Sequence, residues 1–201
     1  MRKFVGLRAI FGICLVFFCV VPVEAAELEL DEYLQRANAA RERGDWESVA
    51  SQTAQAVNHA DLPKSGAERS AVHLEYGRAM GVLCQYEEAE KYLQLAREIA
   101  GKAGSPLPRV LYELGAVSVA QKKFSNAVQY FAQLDALIAG EPRSGVPALL
   151  VADAYEKFAL ALVAAGKGEE AELRRRAAAK ARETSPRAPP GTITPYGAKC
   201  A

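Results

Sequence analysis

One motif recurs about every 40 residues, and this regularity constrains the fold more than any other feature. A residue that is aromatic in the first three copies comes just before a helical, alanine-containing stretch. These residues are Trp46, Tyr86, Phe124 and Gly168, separated by 40, 38 and 44 positions. A repeat of this length indicates stacked supersecondary units, each too small to bury its own apolar face. The chain is therefore expected to be a scaffold of repeated units.

The N-terminal segment has the pattern of an export signal. Three basic residues in its first eight positions precede an uncharged, mostly apolar run over residues 9–21, and Val23 and Ala25 place small residues at a cleavage site. We predict a signal peptide over 1–25, cleaved after Ala25, and a periplasmic location in a bacterium. The apolar run is shorter than the ~20 residues of a membrane-spanning helix. No stable membrane insertion is expected after cleavage, and an uncleaved anchor is the alternative.

Charge is unevenly distributed along the chain. Residues 26–172 contain 15 basic and 22 acidic side chains, whereas residues 173–201 contain seven basic and one acidic. A basic end can contact nucleic acid or anionic lipid. Basic side chains also suit the C-terminal end of a solvated last helix. We favour the second interpretation and expect no nucleic-acid partner, because the chain is predicted to be exported.

Helical periodicity and helix-breaking residues define the secondary structure. Gly44 marks one turn, Pro63 interrupts the pattern, and Ser65 with Glu68 has the spacing of a capping box. No strand-like alternation of useful length is present, so the predicted fold class is all-α. The predicted helices span 28–43, 46–60, 66–83, 86–102, 106–121, 124–139, 146–165 and 168–183.

The apolar positions of these helix pairs follow a recognisable order. In the third pair they are Leu111, Leu114, Gly115, Phe124, Ala127, Phe131 and Leu134, and in the second they are Tyr76, Gly77, Tyr86, Ala89, Leu93 and Ala96. The units resemble the tetratricopeptide repeat (TPR). The fourth departs from that pattern at Gly168 and Arg175. The resemblance implies a right-handed α-solenoid of about four antiparallel TPR-like helix pairs over 26–183, followed by a Pro-rich C-terminal tail, 184–201.

The small and aromatic residues of the repeat are interpreted as packing residues. Gly77 and Gly115, with Ala89 and Ala96, would lie where two helices approach closely. The aromatic residues fill the adjacent space and remove apolar area from water. We therefore assign these positions to the core and not to ligand contacts.

The resemblance also implies where a partner would bind, because in this family the first helix of each pair lines a concave groove. Arg78, Arg109 and Tyr112 are expected at its centre, since Arg and Tyr often dominate interface energetics. The alternative is an ordinary solvated inner face. Some members of this family bind the terminal carboxylate of a partner through polar side chains at set groove positions. Apolar or aromatic residues stand at those positions in this chain, so binding of a terminal carboxylate is disfavoured. The predicted groove residues are Asn38, Arg41, Arg78, Arg109, Tyr112, Asp153 and Glu156.

Two cysteines remain outside the predicted signal peptide, Cys84 and Cys200. An oxidising compartment permits a disulfide between them. The tail could extend ~50 Å, so the distance between Cys200 and Cys84 does not forbid the bond. The alternative is a semi-buried Cys84 with an exposed Cys200 that pairs with another chain.

Catalysis is not supported by the residue inventory. The chain has two histidines, His59 and His73, and His73 falls at a core-facing position. A metal site needs three or four convergent ligands, and neither a nucleophile elbow nor a glycine-rich phosphate loop is present. We predict a chain that is not an enzyme and has no cofactor and no metal.

The tail contains features that a solubilising segment would not need. Three prolines stop helix formation and favour an extended chain, yet Ile193 and Tyr196 follow among turn-forming residues. One hypothesis is that the tail docks on the last helices and covers an apolar end. Another is that Tyr196 or Cys200 engages a partner.

These observations predict a non-catalytic scaffold or adaptor in the bacterial cell envelope. It would bind a protein or peptide through the concave groove. The alternative function is a self-associating structural envelope protein, linked by disulfides through its tail.

Overall fold

The computed structural model describes residues 28–64, 66–103, 107–140, 146–183, 190–198 and 200. The predicted signal peptide, Ser65 and the Ser105–Pro106 helix start lie outside these ranges. The described residues form eight α-helices and no strand, which confirms the all-α prediction. The helices are α1 (Leu30–Glu42), α2 (Trp46–Asn58), α3 (Ala67–Val82), α4 (Tyr86–Ala103), α5 (Leu107–Ala120), α6 (Phe124–Gly140), α7 (Ala148–Ala164) and α8 (Gly168–Glu183).

Local signals set the helix boundaries, and each observed boundary lies within two residues of the predicted one. At the start of α2, the Asp45 carboxylate accepts a hydrogen bond from the Ser48 amide at 3.1 Å, and Gly44 has a φ of 71° in the preceding turn. Only a residue without a Cβ adopts that conformation freely. Gly66 precedes α3 and makes no side-chain cap hydrogen bond, and the predicted Ser65 capping box lies outside the described residues.

The helices stack in chain order to form a solenoid. Each helix packs against the next, and α3 contacts α5 while α5 contacts α7. The first helices of successive pairs therefore lie side by side along one face. Three clusters of buried apolar residues run through the stack, one centred on the first pair, one on α3 and α4, and one on α5 to α7.

Two glycines allow helices within a pair to approach closely. A Cβ built on Gly77 would lie 2.8 Å from Cγ of Leu93, and one built on Gly115 would lie 2.7 Å from two ring carbons of Phe131. Such distances are well inside van der Waals contact. The predicted packing role of both glycines is confirmed.

The last helix pair leaves apolar side chains exposed to solvent. Leu160 and Val163 of α7 are 51% and 47% exposed, and Leu173 of α8 is 61% exposed. The described tail residues contact α1, α3 and α5, whereas residues 184–189 lie outside the described ranges, so the hypothesis that the tail covers an apolar end stays a prediction. Basic residues of α8 instead form surface ion pairs with acidic neighbours, including Arg174 with Asp135 at 2.9 Å.

No helix among the described residues has the length and apolarity required to cross a bilayer.

The described part of the tail is turned and not extended. Residues 190–193 and 196–198 form turns or bends, and the segment crosses the face formed by α1, α3 and α5 through contacts with Arg41, Arg78 and Glu113. The prediction of an extended tail was wrong because these contacts, and not proline stiffness, decide its course.

Candidate peptide-binding groove

Arg78 of α3 lies at the centre of the concave face and is directed towards the tail. Its side chain is almost fully buried and uses all three nitrogens. Nη1 donates to a Glu75 carboxylate oxygen at 2.6 Å, Nη2 donates to the Gly191 carbonyl at 2.7 Å, and Nε donates to the Thr194 hydroxyl at 2.9 Å. A planar guanidinium presents its donors in a fixed fork, so these three acceptors fix its position.

Glu113 of α5 is a fully buried carboxylate beneath the tail. One oxygen accepts hydrogen bonds from Arg109 Nε and from the Thr194 hydroxyl, both at 2.8 Å, and lies 3.1 Å from Arg78 Nε. The other oxygen accepts from the Tyr196 hydroxyl at 2.8 Å. Two cations and two tail hydroxyls therefore surround this carboxylate, as a buried charge requires.

The two guanidiniums keep Glu113 ionised. Burial by itself would raise its pKa, but Arg109 and Arg78, with hydrogen bonds from Tyr196 and Thr194, outweigh burial and hold the pKa of Glu113 below its ordinary range. Burial, and then the neighbouring charge of Glu113, raises the pKa of Tyr196 well above its usual value. The phenol is therefore a neutral hydrogen-bond donor to an ionised carboxylate.

Tyr196 also packs against a glycine of α3. A Cβ built on Gly81 would lie 2.4 Å from Cε1 and 3.0 Å from Cδ1 of the Tyr196 ring. A larger residue at this position would exclude the ring from its place. The tail and the solenoid are thus complementary in shape as well as in charge.

A disulfide joins the end of the tail to the turn between α3 and α4. Cys84 and Cys200 are bonded, with Cα atoms 5.7 Å apart, although 116 positions separate them in sequence. The Tyr86 hydroxyl at the start of α4 lies 3.0 Å from the Cys200 sulfur. The tail is therefore held both by polar contacts in the groove and by a covalent bond.

The structure brings three of the predicted groove residues together, and the tail lies against all three. Arg41, Arg78 and Arg109 all face it, with Arg41 Nη1 3.5 Å from the Gly191 carbonyl and Arg109 Nη2 3.5 Å from the Thr194 hydroxyl. A partner could reach these groups only if the tail moved. The inner face is thus not an ordinary solvated surface at its centre.

The other predicted groove residues lie to either side. Tyr112 is fully buried and donates to Asp153 at 2.6 Å, so its ring is a core element of α5. Asp153 is also paired with Lys157. Glu156 is paired with Arg182, and Asn38 contacts Arg41 within α1.

One part of the groove beside the tail is open. A pocket of about 230 Å³ lies between α1 and α3, with Asn38, Arg41 and Glu75 on its polar side. Its apolar wall is formed by Leu34, Ala37, Ala71 and Val72. This pocket adjoins the tail through Arg41.

Sequence reasoning missed the acidic and small members of the site, namely Glu75, Gly81, Glu113 and Thr194. One local signal was available, because Glu113 follows Arg109 by four residues on an otherwise apolar helix. The pairing of Glu113 with two tail hydroxyls joins residues more than 80 positions apart and has no local signal.

The histidine of α3 belongs to the core and is not one of the residues that contact the tail. His73 is buried, with Nδ1 2.9 Å from the Arg69 carbonyl, and burial lowers its pKa. The prediction that His73 is a satisfied core residue is confirmed. Within the described ranges, no three His, Cys, Asp or Glu residues are grouped as metal ligands.

Sequence comparison finds no matching family model, and no curated protein matches the chain. Comparison of the fold with solved structures does find matches. The crystal structure of MamA superposes with a TM-score of 0.60 at 16% identity, covering 79% of this chain and 81% of MamA. TPR-like repeats assigned to a kinesin light chain of Podosopora anserina, in a point-substituted form, superpose with a TM-score of 0.62 at 22% identity, covering 83% of this chain and 81% of that chain.

A second crystal structure of those repeats gives a TM-score of 0.58 at 20% identity. These proteins share with this chain the stacking of paired helices. Together with the eight helices described above, the likeness shows that this chain has the tetratricopeptide-like repeat fold.

Proposed function

We propose that this protein is a non-catalytic interaction scaffold that binds a peptide or protein segment through its concave face. The observation that supports the proposal is the docked tail. A turned segment of the chain lies on α3 and α5 and is held by Arg78 and Glu113 through side-chain and backbone contacts. Recognition of a segment by polar anchors in a groove is a common mode of peptide binding.

The proposed binding surface combines the tail-contacting residues with the open pocket. Arg41 connects the two, since its side chain lines the pocket and also reaches the Gly191 carbonyl. A partner that enters the pocket would meet apolar walls and a mixed-charge rim. These are the features of a site that fixes one side chain of a bound segment while polar groups orient its backbone.

Location in the bacterial cell envelope is part of the proposal. It is supported by the predicted signal peptide over 1–25 and by the Cys84–Cys200 disulfide, because such bonds persist in oxidising compartments. Amino-terminal sequencing of the exported protein should begin at Ala26. Recovery of the uncleaved chain in the membrane fraction would instead indicate an anchor.

The binding surface can be tested by in-cell cross-linking and affinity capture with a matched pair of arginine variants. Arg41→Ala removes a groove side chain that is 23% exposed, whereas Arg36→Ala removes an exposed arginine on another face of the same helix. We expect one dominant envelope protein to be captured by wild type and by Arg36→Ala, and to be lost with Arg41→Ala. Equal capture by both variants would refute the groove assignment.

Replacing Arg78 and Arg109 together is a poorer test. Both hold the buried Glu113 carboxylate, so the double alanine variant would leave that charge uncompensated. Loss of capture would then report loss of structure. Arg41 avoids this difficulty because it does not contact Glu113.

Self-association is a second candidate function that one observation favours. Leu160, Val163 and Leu173 are exposed apolar residues of the last helix pair, and terminal repeats need a polar outer face for solubility. Cross-linking through the tail is not favoured, since Cys200 is bonded to Cys84 within the chain. Sedimentation of wild type and of Leu160→Gln/Leu173→Gln over a range of concentrations tests self-association. A wild type that stays monomeric would exclude it.

A further inference from the structure

The tail occupies the groove in the way that a bound ligand would. It offers a backbone carbonyl at Gly191 to Arg78, a hydroxyl at Thr194 between Arg78 and Glu113, and a phenol at Tyr196 to Glu113. The helix pairs bury aliphatic cores of their own, and the tail adds two partly buried side chains, Ile193 and Tyr196, that pack against those cores.

We propose that the groove is a receptor for a Gly-x-x-Thr-x-Tyr segment of another protein, that the tail is its resident ligand, and that the Cys84–Cys200 disulfide controls the exchange between them. This inference rests on the proposed function and names the ligand class and the regulation of the same site. The segment in this chain is Gly191 to Tyr196.

The chemistry of the site explains why these residue types are selected. The group between Arg78 and Glu113 must accept a hydrogen bond from a guanidinium and donate one to a carboxylate, as the Thr194 hydroxyl does. The second carboxylate oxygen requires another donor. A segment lacking either hydroxyl leaves a buried charged group without its partner, which is the main source of discrimination in such sites.

The shape of the site selects the aromatic ring. Tyr196 lies against Gly81 with no space for one additional carbon atom between them. A ring that carries a hydroxyl at its far end both fills this space and reaches Glu113 at 2.8 Å. A smaller residue would leave the space empty and the carboxylate oxygen without its donor.

The disulfide makes the resident segment hard to displace. The tail is joined to α8 through the chain and to Cys84 through Cys200, so it is held at both ends. A tethered segment competes at an effective concentration of about millimolar for a short flexible connection. Opening the disulfide frees one end and lets the segment leave the groove by fraying from that end.

The disulfide lies near the surface, since Cys84 and Cys200 are both only half-buried. An open depression of about 500 Å³ adjoins Cys84 and is lined by Gln85, Tyr86, Glu87, Glu88 and Gln121. The reductant that we invoke is a protein dithiol. Its thiolate attacks one sulfur of the pair and forms a mixed disulfide, while the other sulfur leaves as a thiolate and is protonated.

The second thiol of the reductant then attacks the mixed disulfide and releases the remaining cysteine. The dithiol is oxidised to a disulfide, and Cys84 and Cys200 are each reduced to a thiol, with two electrons transferred. In the assay dithiothreitol takes the place of the protein dithiol.

The test uses a fluorescent peptide of residues 190–201 with Cys200→Ser, titrated into the full chain and followed by anisotropy. The oxidised protein should show no saturable binding. The Cys84→Ser/Cys200→Ser protein and the wild type reduced with dithiothreitol should bind it. Adding Thr194→Ala and Tyr196→Ala to the tail of the disulfide-free protein should tighten binding by ~tenfold or more, since each lost charge-assisted bond weakens the competing tail.

Matched controls separate recognition from loss of structure. Ala198→Ser in the tail changes an exposed position and should leave peptide binding unchanged. The peptide carrying Thr194→Ala and Tyr196→Ala should not bind any form. Circular dichroism confirms that each protein variant keeps its helices.

Three outcomes would overturn the inference, and a fourth would reject only its regulation. Equal peptide binding to the oxidised and disulfide-free proteins would show that the tethered tail does not block the groove. Binding to neither protein would make the tail a permanent structural element. A disulfide-free dimer that the peptide dissociates would assign the ligand to a second copy of this chain and not to another protein. Arg41-dependent capture that is insensitive to the disulfide would leave the proposed function standing and reject only this regulation.

Discussion

Replacing Gly81 by alanine should detach Tyr196 from the groove, and it tests whether the tail is docked as described. Helix α3 would gain from the substitution, since alanine in a helix interior is more favourable than glycine by about 1 kcal/mol. The added Cβ would, however, lie 2.4 Å from Cε1 of Tyr196. Carbon atoms in contact are separated by about 3.5–4.0 Å, so the ring must retreat by more than about 1 Å.

That displacement breaks the hydrogen bond from Tyr196 to the buried Glu113 carboxylate, which is 2.8 Å long. A hydrogen bond to a charged group contributes about 1.5–3 kcal/mol. After the gain in helix propensity is subtracted, we expect Gly81→Ala to lower the free energy of unfolding by about 0.5–2 kcal/mol. The remaining neighbour of the new Cβ, the side chain of Ala89, lies at an ordinary 3.5 Å.

The sign of the effect should reverse when the ring is absent. In a Tyr196→Ala background the clash disappears, and Gly81→Ala should raise the free energy of unfolding by about 1 kcal/mol through propensity alone. Urea unfolding of the four proteins of this double-mutant cycle, under non-reducing conditions, gives the coupling energy, expected at about 1.5–3 kcal/mol. Gly101→Ala is the matched control, since it lies in α4 with no atom within 4 Å of its Cβ. An identical effect of Gly81→Ala in both backgrounds would refute the docked position of the ring.

Two further predictions concern the Tyr196 hydroxyl, and a third concerns the close approach of α5 and α6. Tyr196→Phe removes the hydroxyl that donates to Glu113, so urea unfolding should show a loss of about 1.5–3 kcal/mol; no loss would mean that water replaces the donor. Because the folded pKa of Tyr196 is raised, the stabilisation from its neutral phenol is present below the ordinary tyrosine pKa of 10.0 and is lost as pH rises through the folded pKa. The difference in free energy of unfolding between wild type and Tyr196→Phe should therefore shrink above about pH 10. A difference in free energy of unfolding that does not change with pH would contradict the assignment of Tyr196 as a neutral hydrogen-bond donor. Gly115→Ala places a Cβ 2.7 Å from the Phe131 ring and should cost about 1–3 kcal/mol in the same assay, and a stabilised variant would show that α5 and α6 can separate freely.

The structure brings together some of the residues that were predicted to line the groove. The resemblance placed Arg41, Arg78 and Arg109 on the first helices of their pairs, and the structure brings all three to the tail. Tyr112 was predicted on the same surface but is fully buried, since its hydroxyl is satisfied by Asp153. Polarity alone does not separate a groove tyrosine from a core tyrosine whose hydroxyl has a partner.

The sequence by itself determined the helices and their stacking. Periodicity of apolar residues and turn-forming glycines act within a few positions, and a repeat of about 40 residues forces neighbouring units to share a core. The bounds of α6 and α8 follow almost entirely from such local signals, with predicted and observed starts at residues 124 and 168. Close approach at Gly77 and Gly115 was predictable for the same reason.

Only the tertiary structure decided what the concave face holds. The tail reaches Glu113 across 81 and 83 positions, and the disulfide spans 116. Contacts at such separations leave no periodicity in the sequence, because they depend on where the solenoid places α3 and α5 in space. A buried carboxylate between two arginines, with one space large enough for a tyrosine ring, exists only once the helices are stacked.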